Sequence, residues 1–95
     1  MNKYESVVIF NEKIPAVEIN KIVERFINKI NEDGKIEETE DLGIKRMAYE
    51  VKGQKNGRYS VLKYETESQH IPNIERLYRQ TEEVLKFITV RNYEN

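Results

Sequence analysis

The alternation of apolar and polar positions divides the chain into six segments. Residues 3–10, KYESVVIF, end in an apolar, β-branched run, which predicts a central strand buried on both faces. Pro15 suits the first turn of a helix, and Ile19, Ile22, Val23, Phe26, Ile27 and Ile30 follow at spacings of three and four. This predicts a helix over 15–33, ended by Gly34 as a glycine just past the last periodic residue. From Lys35 the period becomes two, with a slip of phase: Ile36, Leu42 and Ile44 are even, whereas Met47, Tyr49 and Val51 are odd. Such a slip reverses the faces of a strand unless a bulge absorbs it, and Gly43 can adopt the backbone a bulge needs. Residues 35–52 therefore read as one long, bulged strand. Gly53, Asn56 and Gly57 carry the signals of a hairpin loop over 53–57, and residues 59–67 return antiparallel. Pro72 opens a second helix with Ile74, Leu77, Tyr78 and Thr81 on one face, ending near Glu83. Residues 84–93, VLKFITVRNY, form the last strand.

The order β-α-β-β-α-β predicts an α+β fold of the ferredoxin-like split βαβ type. Its four-stranded antiparallel sheet carries both helices on one face and leaves the other to solvent or a partner. With 95 residues, a single domain over 1–95 is expected, too small for a large internal cofactor pocket. Cys 0 and His 1 remove thiol chemistry and nearly all zinc chemistry, so no metal or cofactor is expected. No run approaches the roughly 20 apolar residues that span a bilayer, and the N-terminal stretch lacks a secretory h-region. A cytoplasmic protein without a membrane partner is expected.

Charge changes this picture. The net charge of -1 conceals a halved chain: residues 1–41 hold six basic against ten acidic residues, and residues 42–95 hold ten against seven. Between 45 and 63, Lys45, Arg46, Lys52, Lys55, Arg58 and Lys63 face only Glu50. That field can attract phosphate or an acidic partner, or can simply protect an edge hairpin from pairing with another sheet.

The remaining candidates for chemistry are thin. Glu37, Glu38, Glu40 and Asp41 could hold Mg²⁺ or exchange protons, but no nucleophile, histidine or glycine-rich loop accompanies them, and a solvated or partner-facing strand is expected. His70, beside Ile71 and Pro72, reads as structural or exposed. Acylphosphatase shares the element order but needs an anion-cradling loop after its first strand. Here Asn11, Glu12, Lys13, Ile14 and Pro15 offer no glycine and place a carboxylate where phosphate would sit. No enzyme and no small-molecule substrate are expected. RNA-recognition domains stack bases on aromatics of their first and third strands. Tyr4, Tyr59 and Tyr64 occupy those strands, yet RYSVLKYE lacks the glycine-aromatic signature, so core packing or partner contact is the favoured role of these tyrosines.

Several segments together resemble a known family. They are Tyr4-Glu5, Gly34-Lys35-Ile36, the run from Asp41 through Gly43, Lys45, Arg46, Met47, Ala48 and Tyr49 to Val51, and the spaced basic residues of the last strand. Across about residues 2–92 the chain is similar to bacterial ribosomal protein six of the small subunit. The resemblance implies a non-catalytic structural component of the small-subunit platform that binds small-subunit (16S) ribosomal RNA cooperatively with ribosomal protein eighteen, in the cytoplasm. By position it implies RNA contact at Lys3, Arg79, Lys86 and Arg91, and partner contact at Arg46, Met47, Ala48, Tyr49, Glu50 and Val51. Lys3 and Lys86 stand where the family often has arginine, which removes the planar bidentate fork for phosphate, and Thr81 stands where asparagine is common.

A pI near 5.9 is low for a chain that binds RNA unaided, because phosphate neutralisation supplies much of such affinity. Joint binding with a basic partner, drawn by the acids of 37–41 and an apolar strip at Met47 and Tyr49, removes the conflict. The alternative is a free-standing ferredoxin-like RNA-binding or regulatory module.

Overall fold

The computed structural model describes residues 1–93; residues 94 and 95, the end of the expected domain, lie outside the described residues. The elements are β1 (Asn2–Asn11), α1 (Ala16–Asp33), β2 (Gly34–Val51), β3 (Gln54–Thr66), α2 (Ile71–Gln80) and β4 (Val84–Asn92), with a 3-10 turn at Ser68–His70 before α2. The sheet runs β2-β3-β1-β4, every neighbour antiparallel, which is the predicted ferredoxin-like layout. β1 is a central strand, so the apolar alternates of VVIF are divided between two faces.

On the helix-covered face, Tyr4, Val8 and Phe10 of β1 and Leu62 and Tyr64 of β3 pack with Ile19, Ile22, Phe26 and Ile30 of α1 and Ile74 and Tyr78 of α2. Phe26 sits at the centre, stacked on Phe10 at 6.2 Å and edge-on to Tyr78 at 4.9 Å. The periodic stripe of α1 fills this layer because residues three and four apart share a helix face. Within it, the Ser6 hydroxyl is 2.9 Å from both the Tyr64 hydroxyl and the Thr89 hydroxyl, a buried polar chain in an apolar layer.

Several boundaries differ from expectation, for reasons outside the local sequence. Gly34 does not cap α1 in a left-handed conformation; its φ is -157 and it begins β2. A Cβ there would lie 2.3 Å from the Glu65 carbonyl oxygen, so glycine is required by the closeness of β3. The hairpin turn is Lys52-Gly53, not 53–57. Both residues have positive φ, 49 and 77, and Val51 pairs with Gln54, which makes a two-residue turn of the I′ type. Asn56 and Gly57 belong to β3, where a Cβ on Gly57 would stand 2.4 Å from Ile9 Cγ2. α2 ends at Gln80 instead of near Glu83, and the Thr81 hydroxyl donates to the Leu77 carbonyl at 2.7 Å, closing the last turn. Tyr93 lies just past the end of β4.

Gly43 does make the predicted bulge, at φ 78 between Asp41 and Gly43. Two further irregularities accompany it in β2, at Ile36/Glu38 and at Arg46/Val51. The last is the widest: Arg46 pairs with Asn56 and Val51 with Gln54, so residues 47–50 stand opposite Lys55 alone. The chain thus swells out of the sheet plane immediately before the turn.

Candidate nucleic-acid and partner interfaces

The face of the sheet away from the helices is built from the odd residues of β1 and their cross-strand partners. Glu5 pairs with Lys63, Val7 with Val61 and Ile9 with Tyr59 on β3, while Lys3 pairs with Asn92, Val7 with Ile88 and Ile9 with Lys86 on β4. Three zones follow one another along β1.

The first zone, at the turn end, is apolar. The bulge of residues 47–50 folds Met47 inward until it is 6% exposed, against Ile9 and Leu85, with Val7, Val51 and Tyr59 around them. Beside this small second core lies an open groove of about 260 Å³ walled by Val7, Ile9, Tyr49, Tyr59, Lys86 and Ile88. Tyr49 is 60% exposed and forms one wall; the Lys86 ammonium lies 4.5 Å from its ring centroid and donates to its hydroxyl. The cation over the ring and the bond to its hydroxyl both hold Tyr49 at the groove. The expected partner segment divides accordingly. Ala48, Tyr49 and Val51 border the groove, Arg46 and Glu50 line a smaller recess beside it with Lys55, and Met47 belongs to the core beneath.

The second zone is charged. Lys63 stands among three carboxylates: Glu38 at 3.5 Å, Glu40 at 3.8 Å and Glu5 at 3.9 Å. Glu38 first, then Glu40, hold its ammonium above the ordinary lysine range, opposed by partial desolvation. Asp41 is committed to Arg58 at 2.8 Å and to the Gly43 amide at 2.8 Å. Two of the six cations between 45 and 63 are therefore spent inside the sheet. Lys45, Arg46 and Lys55 carry no salt bridge among the described residues and form the basic tip. The acids keep the balance of their zone negative, three carboxylates against one ammonium. His70 meets Asp33 at 3.6 Å and takes a structural place at the start of α2.

The third zone, at the far end, has an open pocket of about 260 Å³ bordered by Met1, Lys3, Glu65, Arg91 and Tyr93.

The four residues expected to touch RNA are spread along β4 and its neighbours, and of them only Lys3 and Arg91 border a common pocket. Lys86 and Lys3 lie on the open face about 20 Å apart, six positions along β1. Arg91, paired opposite Tyr4, lies on the helix side, hydrogen-bonded to Asn2 at 2.9 Å. Arg79 in the last turn of α2 lies over the ring of Phe87 of β4, 5.7 Å from its centroid. An edge strand decorated on both sides with cations suits a phosphate backbone running along it.

Tyr4 and Tyr64 do not reach the open face. They stack on each other at 6.0 Å beneath the helices, and Tyr64 is 1% exposed, so only Tyr59 of the three is placed to meet a base. Sequence reasoning gave Tyr59 core packing or partner contact but passed over Val7, Ile9 and Ile88 as groove residues. The signal was present in VVIF, since a strand apolar on both faces must cover both.

A family model for ribosomal protein S6 matches residues 3–91. The chain is 36% identical over 93 residues to small ribosomal subunit protein bS6 of Thermotoga neapolitana, spanning 96% of this chain and 73% of the relative. It is 36% identical over 92 residues to the Helicobacter acinonychis protein of the same name, spanning 65% of that chain. Among solved structures, 30S ribosomal protein S6 of Thermotoga maritima superposes with a TM-score of 0.89 at 33% identity, over 96% of this chain and 87% of that one. A protein of Arabidopsis thaliana at 10% identity and a TM-score of 0.60 shares the fold alone. With a family model covering nearly the whole chain, relatives at 36% identity and an overall fold that superposes on a solved member, the chain belongs to the ribosomal protein S6 family, a structural, non-enzymatic component of the bacterial small ribosomal subunit.

Proposed function

We propose that this protein binds small-subunit (16S) ribosomal RNA in the platform jointly with ribosomal protein eighteen, in the cytoplasm, with the two ligands on different parts of the open face and its edge. The groove bordered by Tyr49, Lys86 and Ile88 carries the reading. It is an apolar recess on an otherwise charged surface, and it takes an apolar side chain or short segment of a protein. The net-negative zone of Glu5, Glu38 and Glu40 lies one row away and attracts a basic partner. RNA runs along the β4 edge on Lys3, Arg79, Lys86 and Arg91, with Lys86 shared between the two ligands. The burial of Tyr4 and Tyr64 weighs against a free-standing module that stacks bases across its sheet.

Binding of a platform fragment of small-subunit ribosomal RNA, measured by gel shift with and without purified ribosomal protein eighteen, tests the proposal. Retention only with both proteins present is the expected result. Tight, salt-sensitive binding by this chain alone would replace it with the free-standing module.

A further inference from the structure

Two kinds of neighbour hold cations in this chain. Lys21, Lys29, Arg58 and Lys63 stand against carboxylates, Glu18 at 3.8 Å, Glu32 at 3.4 Å, Asp41 at 2.8 Å and Glu38 at 3.5 Å, so their charge is met where it arises. Arg79, Lys86 and Arg91 are held on aromatic rings instead: Arg79 lies 5.7 Å from the centroid of Phe87, Lys86 4.5 Å from that of Tyr49 and Arg91 4.7 Å from that of Tyr93. Among the described residues these are the cation–ring contacts, and each includes a residue of β4. A ring attracts a cation through its quadrupole and carries no net charge, so it orients the group without neutralising it.

The two arginines share a side of the sheet. Phe87 pairs with Val8 and Arg91 with Tyr4 in the β1–β4 register, and both partners belong to the helix-side core. Arg79 reaches over Phe87 from the last turn of α2, and Phe87 and Arg91 are separated by about 13 Å of strand rise. Among the described residues neither guanidinium has an acidic partner; Glu75, the one acid of α2, makes no salt bridge with Arg79. Arg91 gives one N–H to the Asn2 side-chain oxygen at 2.9 Å, Asn2 is itself oriented by its amide toward the Tyr4 hydroxyl at 3.5 Å, and the remaining donors of Arg91 stay available. Lys86 differs from both, since it lies on the open face with its ring, Tyr49, at the apolar groove.

We infer that Phe87 and Tyr93 are positioning residues for RNA, which hold Arg79 and Arg91 on the helix side of the β4 edge for two phosphates of one RNA strand. An uncompensated guanidinium takes a phosphate through paired N–H bonds. An arginine loses rotamer freedom when a phosphate fixes it, and a ring that has already fixed it removes part of that cost. The inference rests on the proposed RNA contact of the β4 edge and adds to it the side of the strand that meets phosphate and the rings that prepare that side.

The test measures binding of the platform fragment of small-subunit ribosomal RNA by the full chain together with ribosomal protein eighteen, over a series of salt concentrations. Tyr93 is 76% exposed, so its substitution leaves the fold intact. Tyr93→Leu is expected to weaken RNA binding about two- to fivefold, the scale of ordering one long side chain, with the slope of log affinity against log salt unchanged. Arg91→Gln is expected to lower that slope by about 0.7 to 0.9, the loss of one phosphate contact. Tyr93→Phe, which keeps the ring, should bind as the unsubstituted chain does. In the Arg91→Gln chain, Tyr93→Leu should have no further effect, because the ring then has no guanidinium to hold. Phe87→Leu against Arg79→Gln makes a second cycle, with unfolding followed in denaturant, since Phe87 also packs on Tyr78 at 5.3 Å. Full affinity of the Tyr93→Leu chain, or an equal loss with and without Arg91, as a ring that stacks directly on a base would give, would overturn the inference. Arginine substitutions that weaken binding while the ring substitutions do not would sink the inference alone. No binding by the unsubstituted pair of proteins, or binding unchanged by Arg79→Gln and Arg91→Gln, would remove the RNA reading of the edge and the inference with it.

Discussion

The two faces of one sheet are made from adjacent residues of the same strands, yet they obey different rules. Under the helices, Val8, Phe10, Leu62, Tyr64 and Phe26 interlock, and every hydroxyl must find a neighbour or remain unpaired. On the open face, Val7 and Ile9 receive only the small cover that the bulged Met47 supplies, and salt bridges replace packing one row further on. The first face has no surface left to offer a ligand. The second has an apolar recess, an acid-rich zone and a polar pocket in sequence, because alternation hands half of each strand to a layer that this domain does not complete.

If that division holds, substitutions on the two faces should separate stability from binding. The largest loss is expected from Phe26→Ala, which empties the centre of the helix-side layer: about 3–5 kcal/mol in denaturant unfolding, enough to unfold most of a small domain. Gly34→Ala comes next. Its Cβ would meet the Glu65 carbonyl and the Thr66 side chain, so β2 must move off β3 at a cost of about 1–3 kcal/mol, read as a lower Tm with fewer protected β2 amides. Equal stability of wild type and the Gly34→Ala chain would show that the strand contact yields freely.

On the open face, Tyr49→Ala should change stability by less than about 0.5 kcal/mol, since the ring is exposed. It should still weaken pairing with ribosomal protein eighteen about tenfold by calorimetry, as loss of an aromatic anchor does. Met47→Ala would mix the two effects, because Met47 is core. Unchanged pairing by the Tyr49→Ala chain would remove the groove from the partner surface.

The smallest effect sharpens the other side of the comparison. Among the described residues the Tyr78 hydroxyl is buried beside the Ser6 and Tyr64 hydroxyls without a well-formed hydrogen bond, and burial drives its ionisation far above the ordinary tyrosine range. Burial likewise raises Tyr64. A raised folded-state pKa favours the neutral form, so this stability is complete below the unfolded value near 10 and is lost as pH rises above it. Tyr78→Phe should therefore gain up to about 1 kcal/mol near neutrality, because an unsatisfied hydroxyl is removed, and should flatten part of the alkaline decline in Tm.

Much of the fold was legible in the chain. The spacing of Ile19, Ile22, Phe26 and Ile30 placed α1, and the slip of phase at Gly43 located a bulge, because both signals reside in neighbours along the backbone. The role of the other glycines was not legible. Asn56-Gly57 has the local form of a turn, but Gly57 answers to Ile9 on another strand, and the turn passed to Lys52-Gly53. The candidate sites divide in the same way. Tyr49 was found by resemblance, whereas its clasp with Lys86 joins residues 37 positions apart and exists only once β2 and β4 flank the same groove.

The sequence by itself determined the order of the elements, the apolar stripe of the long helix and the excess of cations in the second half, since each depends on residues close together in the chain. Tertiary structure decided which face each tyrosine occupies, which cations Glu38, Glu40 and Asp41 neutralise, and where the bulge turns Met47. These are settled by register, and register sets side chains from distant segments at distances of a few ångströms, where packing and charge act.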